Sequence, residues 1–215
     1  MILTIPDILS PAEVAVITQT VPDLEFQDGR NTAGIHARKV KANDQATASP
    51  ARDAILDKVG AALRAHPVFA SAARPRAMTP LILSRYRQGQ TYGTHVDDAL
   101  MGGLRTDISF TLFLSDPATY TGGELVITDT LEERAIKLPA GSVVVYPSTT
   151  LHRVDPVTEG TRLAIVGWVQ SQIRDAGRRE VLFDLDRCIA TGGEEASMAL
   201  LRKTRSNLLR MWADD

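Results

Sequence analysis

Leu81-Ile82-Leu83-Ser84-Arg85-Tyr86, then Gln88-Gly89-Gln90, then Tyr92-Gly93-Thr94-His95-Val96-Asp97 reads as a strand, a turn and a second strand. From Met78 onward the apolar period is extended rather than helical. Downstream, Ile108, Phe110, Leu112 and Leu114 alternate with Asp107, Ser109, Thr111 and Phe113. Further short runs follow at Glu124–Ile127, Arg134–Leu138, Ser142–Tyr146, Leu151–Val154 and Arg162–Val169, with glycine-rich turns and no helix between them. Such spacing predicts an antiparallel sandwich or jelly roll.

Helices flank this region on both sides. Ser10-Pro11-Ala12-Glu13 is a capping box, with Val14, Ile17 and Val21 as the apolar stripe and Pro22 as the stop. A second helix runs from Ser49-Pro50 to His66-Pro67 through Ile55, Val59, Ala62 and Leu63, and His66 is read as a capping histidine. Residues 23–48 give no clear period, and 28–34 reads as a turn-rich loop, a plain solvated connection rather than the border of a substrate cleft; His36, in or beside it, has no partner at a metal-like spacing. After Gln172, Arg178–Ile189 and Glu194–Trp212 are helical, the second with Leu201, Thr204, Leu208 and Met211 on one line. This last helix is expected to cover the outside of the barrel; a homodimer through the C-terminal helices is the second reading. The fold class is therefore α+β, with a helical flank at 1–77, a jelly-roll core at 78–172 and a helical extension at 173–215.

The 215 residues are 44% apolar, enough for one well-packed domain. With 24 basic against 26 acidic residues and no basic stripe, neither nucleic acid nor a membrane surface is expected as a partner. One cysteine, Cys188, fits a reducing compartment, and no secretory leader or bilayer-spanning run is seen, so a cytoplasmic protein is expected.

Chemistry enters at His95 and Asp97. In an extended strand, residues two apart share a face, so imidazole and carboxylate meet at one point. His152 lies in Leu151-His152-Arg153-Val154, before an expected turn at Thr158-Glu159-Gly160 that would bring Arg162 back alongside it. Two histidines and one carboxylate, with coordination positions open, is the ligand set of non-haem ferrous oxygenases, in which a 2-oxo acid and dioxygen take the free positions. Arg162 is the only cation on the face it shares with Ala164, Val166 and Trp168. A guanidinium there suits the distal carboxylate of 2-oxoglutarate, because its fork makes two parallel charge-assisted bonds. Tyr86 and Thr111 are candidate hydroxyl donors to the same molecule, on strands expected to flank the metal strand. Asp98 is an alternative carboxylate, but it falls on the opposite face from His95. Tyr92, Phe113 and Trp168 read as core. A lone His-x-Asp occurs by chance in many chains; the argument rests on all four residues falling in one β-rich region.

At these residues the chain resembles the prolyl-4-hydroxylase-like superfamily of Fe(II)/2-oxoglutarate dioxygenases, and more closely the bacterial PKHD-type hydroxylases. The likeness runs from Ile8-Leu9-Ser10-Pro11-Ala12-Glu13 and His66-Pro67-Val68-Phe69-Ala70-Ser71-Ala72, through Tyr86–Asp97 and Tyr120-Thr121-Gly122-Gly123-Glu124-Leu125, to His152–Arg162 and Trp168-Val169-Gln170-Ser171. It implies a double-stranded β-helix core, Fe(II) held by His95, Asp97 and His152, 2-oxoglutarate held by Arg162, and L-ascorbate as the reductant that restores the iron. The implied reaction is hydroxylation of a small-molecule or peptidyl substrate by dioxygen. The alternatives from the residues alone are a cupin-like metal-dependent isomerase or epimerase, and a non-catalytic module that senses iron or a small acid.

Overall fold

The computed structural model describes residues 1–32, 34 and 37–213. The expectation for His36, and the part of the 28–34 loop at Ala33, lie outside them.

Strand β16 (Val157–Ser171) is the spine of the molecule. It lies between β10 (Ile108–Phe113) and β6 (Ile82–Arg87), and pairs at its two ends with β11 (Tyr120–Gly122) and β5 (Pro75–Met78). Beyond β10 the large antiparallel sheet continues through β14 (Val143–Pro147) to β1 (Leu3–Ile5). Beyond β6 it continues through β4 (Asp44–Ala46) to β2 (Phe26–Asp28). A smaller sheet faces it, in the order β13 (Glu133–Ile136), β12 (Leu125–Thr128), β15 (Leu151–Val154), β7 (Thr91–His95), β3 (Lys41–Ala42). A hairpin of β8 (Leu100–Met101) and β9 (Leu104–Arg105) follows β7. The α+β jelly-roll expectation holds, but the first 77 residues supply strands to both sheets as well as helices.

Ser10 caps α1 (Pro11–Thr20) as read, with its hydroxyl taking the Glu13 amide and the Glu13 carboxylate taking the Ser10 amide. Ser49 caps α2 (Pro50–Ala65) in the same way at the Arg52 amide. His66 closes α2 through its backbone amide, and its side chain caps nothing; a short α3 (Pro67–Ala73), not anticipated, starts there. These helices lie on one face of the large sheet. There Ile17, Val59, Leu63 and Phe69 bury against Phe110, Leu112 and Ile165. Phe69 and Phe110 meet edge to face at 5.6 Å and 89°, worth about 1 kcal/mol beyond the area they bury. The alternation along β10 then has a structural meaning: one set of side chains faces the helices, while Ser109, Thr111 and Phe113 face the interior between the sheets.

The hairpin expected between β15 and β16 does not form. The strands belong to different sheets, and Thr158-Glu159-Gly160 is itself strand, pairing with β11. The corner is Asp155-Pro156, where proline offers no amide to prolong the β15 ladder. Gly160 has φ +73° and lies so close to Thr119 that a Cβ would stand 2.3 Å from its carbonyl oxygen. That backbone geometry is what made the segment read as a turn.

The C-terminal helices α4 (Ala176–Thr191) and α5 (Glu195–Trp212) fall close to the expected ranges. Their packing differs. α5 rests chiefly on α4, and α4 on α3, so α5 does not cover the barrel. Of its expected stripe, Thr204 and Met211 are exposed, and Met198 is the buried residue instead. Asp186 joins the layers, accepting from Arg74 at 2.6 Å and also from Ser71 and Arg205.

Candidate active site

A cavity of about 360 Å³ opens between the two sheets. His95 ends β7, and His152 stands beside it on β15, as its direct Cα partner across the ladder. The strand stops at His95, so Asp97 reaches the site from the loop that follows rather than from an extended strand. The convergence holds nonetheless. His95 Nε2 lies 3.8 Å from Asp97 Oδ1, and His152 Nε2 lies 3.7 Å from Asp97 Oδ2. One ligand atom from each of the three falls within 4.8 Å of the others, the one such group among the described residues. Asp98 is outside it, turned against Gly34.

Both imidazoles are held by the backbone two residues earlier. His95 Nδ1 lies 2.9 Å from the Gly93 carbonyl, and His152 Nδ1 lies 3.0 Å from that of Thr150. A carbonyl only accepts, so each Nδ1 carries the proton and each Nε2 presents its lone pair to the common point. Asp97 is oriented by Ser109, whose hydroxyl donates to Oδ2 at 2.6 Å and shares a 2.8 Å bond with Ser148. Tyr92 stacks on His95 at 3.7 Å and 14°, and Tyr146 meets His152 edge-on at 5.1 Å. All three candidate ligand side chains are less than a tenth exposed.

Burial, and then the neighbouring His152, push the His95 imidazole down to about 4. An unfolded chain would take up that proton near the ordinary value of 6.5, whereas the folded chain resists it. Between those values the unfolded state binds more protons, so stability falls as pH falls. Thermal melts of the metal-free chain at pH 7 and pH 5 should show a lower melting temperature at pH 5, and a divalent metal should raise the melting temperature more at pH 7 than at pH 5, because the imidazoles must be unprotonated to ligate it.

Arg162 enters from the opposite sheet. It is 1% exposed, and its Nε and Nη2 have no hydrogen-bond partner among the described residues. Its guanidinium lies 5.1 Å from the Tyr86 ring and 5.3 Å from Phe113. Val166 and Trp168 line the cavity on the same side, as the shared face predicts. Tyr86 and Thr111 also line it, but their strands flank β16 and not, as expected, the strand of His95: Tyr86 pairs with Arg162, and Thr111 with Val166. Burial raises the Tyr86 phenol, with the Arg162 charge pulling it back, so it stays a neutral donor.

Residues 81–170 match the 2OG-Fe(II) oxygenase superfamily. A PKHD-type hydroxylase of Picosynechococcus is 48% identical over 219 residues, covering all of both chains. The chain belongs to the PKHD-type hydroxylases. Another member, from Maricaulis maris, is 51% identical over 194 residues, spanning 88% of this chain and 89% of that one. A crystal structure of a Pseudomonas putida prolyl-4-hydroxylase shares the fold, with a TM-score of 0.55 and 20% identity over 79% of this chain and 92% of that one. Family membership makes the chain an Fe(II)- and 2-oxoglutarate-dependent hydroxylase that couples oxidative decarboxylation of 2-oxoglutarate to C–H hydroxylation, with dioxygen and a further substrate as partners. That replaces the isomerase and sensing alternatives. No helix among the described residues is long and apolar enough to cross a membrane.

Ser109, Ser148, Tyr146 and Lys41 also line or support the site without having been singled out. Ser109 was legible in principle: it shares a polar inward face with Thr111 on an otherwise apolar strand. Ser148 and Tyr146 carry no spacing signal.

Proposed function

We propose that His95, Asp97 and His152 hold the Fe(II), and that Arg162 receives the distal carboxylate of 2-oxoglutarate. The donor set fits the ion: two neutral imidazole nitrogens and one carboxylate, each oriented by a second partner. The observation that carries the second half is the guanidinium whose Nε and Nη2 have no partner among the described residues. A buried cation without a counterion is costly, and two unpaired N–H groups facing a cavity call for an anion with two oxygens. Tyr86 and Thr111 are proposed as hydroxyl donors to the same molecule, one on each side of β16.

When bound, the ion and 2-oxoglutarate supply the oxidising chemistry, releasing succinate and carbon dioxide. The chain's part is to orient and to exclude water. Tyr92 and Tyr146 wall the imidazoles, Ser109 keeps Asp97 from rotating, and Leu125, Val154 and Val166 keep the floor apolar. L-ascorbate as the reductant that restores the iron is part of the proposal, resting on the family likeness. So are the division at 1–77, 78–172 and 173–215, a cytoplasmic setting for the exposed thiol of Cys188, and a homodimer through the C-terminal helices, where Leu200 and Met211 are exposed.

Adding Fe(II) and 2-oxoglutarate without oxygen should produce a metal-to-ligand absorption band. A chain that binds both components singly but gives no band would rule out a shared centre.

A further inference from the structure

Lys41 is a second buried cation at this cavity, and nothing described so far uses it. Its side chain is on β3, 9% exposed overall, and no carboxylate among the described residues lies within ion-pairing distance of it. Its Nζ donates weakly to Thr32 Oγ1 at 3.3 Å and stands 4.9 Å from the Tyr92 ring centroid. Thr32 in turn donates to Gln45 Oε1 at 2.7 Å.

Lys41, Asn43 and Gln45 are spaced by two along an extended segment, all three are buried, and all three line the cavity. Asn43 approaches the Tyr86 hydroxyl without a well-formed hydrogen bond, which leaves both of its amide atoms without a partner among the described residues. The row is pressed onto the metal strand because Gly93 has no side chain: a Cβ there would stand 2.8 Å from Val40 Cβ, and the Gly93 amide donates to the Val40 carbonyl at 2.8 Å. Tyr92 therefore separates Lys41 from His95 by the thickness of one ring.

Charge decides what this row awaits. With Fe(II) and 2-oxoglutarate in place, the ion and Arg162 balance Asp97 and the two carboxylates of the co-substrate. Lys41 remains as the buried charge with no counterion, since Asp98 is exposed at the mouth. Burial pushes its ammonium down to about 8, with the charges of Asp97 and Asp28 pulling it back, so it is largely protonated at neutral pH.

We propose that Lys41, with Asn43 and Gln45 beside it, is the recognition site for the hydroxylated substrate, and that this substrate carries a carboxylate. The carboxylate docks on the ammonium, an adjoining amide or hydroxyl pairs with Asn43, and a C–H is presented across Tyr92 to the metal centre. The inference rests on the assignment of the metal centre given above. A cavity of about 360 Å³ that also holds 2-oxoglutarate leaves room for a small acid or the end of a chain.

The test uses the full chain with Fe(II) and 2-oxoglutarate under anaerobic conditions. N-acetylglycine is titrated against its methyl ester, and triglycine against its C-terminal amide. Binding is read by calorimetry and by perturbation of the absorption band. The free carboxylates should bind and the blocked ones should not. Lys41→Met should weaken N-acetylglycine by about tenfold to a hundredfold while leaving 2-oxoglutarate affinity unchanged, and Lys41→Arg should restore most of it. Binding of N-acetylglycine but not triglycine would assign a free small acid; the reverse would assign a peptide end. A missing band in the unaltered chain points to failure of the metal assignment. A normal band overturns the carboxylate site if no probe binds, if blocked probes bind equally, or if Lys41→Met changes only 2-oxoglutarate.

Discussion

His152→Ala is expected to abolish 2-oxoglutarate-dependent oxygen uptake and to remove the anaerobic absorption band. Losing a partner that merely orients a ligand costs a metal site roughly 10- to 100-fold in affinity. Losing the ligand itself should therefore exceed about 100-fold, which empties the site at micromolar iron. Among the described residues the fold gives His152 no second role of comparable weight: its ring contacts are to His95 and Tyr146, and its Nδ1 proton reaches the Thr150 carbonyl two residues back. The β15 ladder to β12 and β7 is made by backbone and survives truncation. Circular dichroism should be unchanged and the metal-free melt should shift little. Equilibrium dialysis against Fe(II) under anaerobic conditions decides the matter. Retained iron with retained oxygen uptake would remove His152 from the centre.

The local parts of this structure were legible because local rules govern them. The capping box at Ser10 and Glu13 needs only four residues, and they behave as read. The shared face of His95 and Asp97 was reached by a strand argument that is not quite the structure's: the strand ends at His95, and the loop carries Asp97 back. What failed was pairing. Val154 and Arg162 are close in sequence with glycine between them, and a hairpin is the cheapest closure. The chain instead changes sheets at Pro156, because Val157–Ser171 finds four partner strands in the large sheet. No period along one strand reports which distant strand lies beside it. Even so, Arg162 shares one cavity with His95, Asp97 and His152, which it faces from the other wall. The stretch 23–48 was opaque for a simpler reason. Its strands are two or three residues long, too short to display alternation, and Lys41 was hidden there.

Arg162→Met should lose 2-oxoglutarate and yet melt at a higher temperature than the parent when both are free of ligand. Arg162 is among the largest fully buried side chains, and two of its three nitrogens have no partner. In the absence of co-substrate this is a desolvated charge whose compensation among the described residues is slight: the Tyr120 hydroxyl approaches it, and the faces of Tyr86 and Phe113 lie more than 5 Å away. Methionine is of similar length, carries no charge and suits a wall already made of Phe113, Leu125 and Val154. Replacing even a paired buried charge by well-packed apolar side chains is often neutral or stabilising by about 1–4 kcal/mol, and Arg162 has no ion-pair partner among the described residues to lose. Binding should move the other way. Truncating one partner of a buried, hydrogen-bonded charge pair costs about 2–5 kcal/mol, or roughly 30- to several-thousand-fold in affinity. Saturating 2-oxoglutarate should thus raise the melting temperature of the iron-loaded parent by mass action and leave that of the variant nearly unmoved. The crossing of the two orders, variant above parent without co-substrate and parent gaining with it, separates a binding role from a structural one. A structural arginine would give a variant less stable under both conditions, with its affinity for 2-oxoglutarate intact.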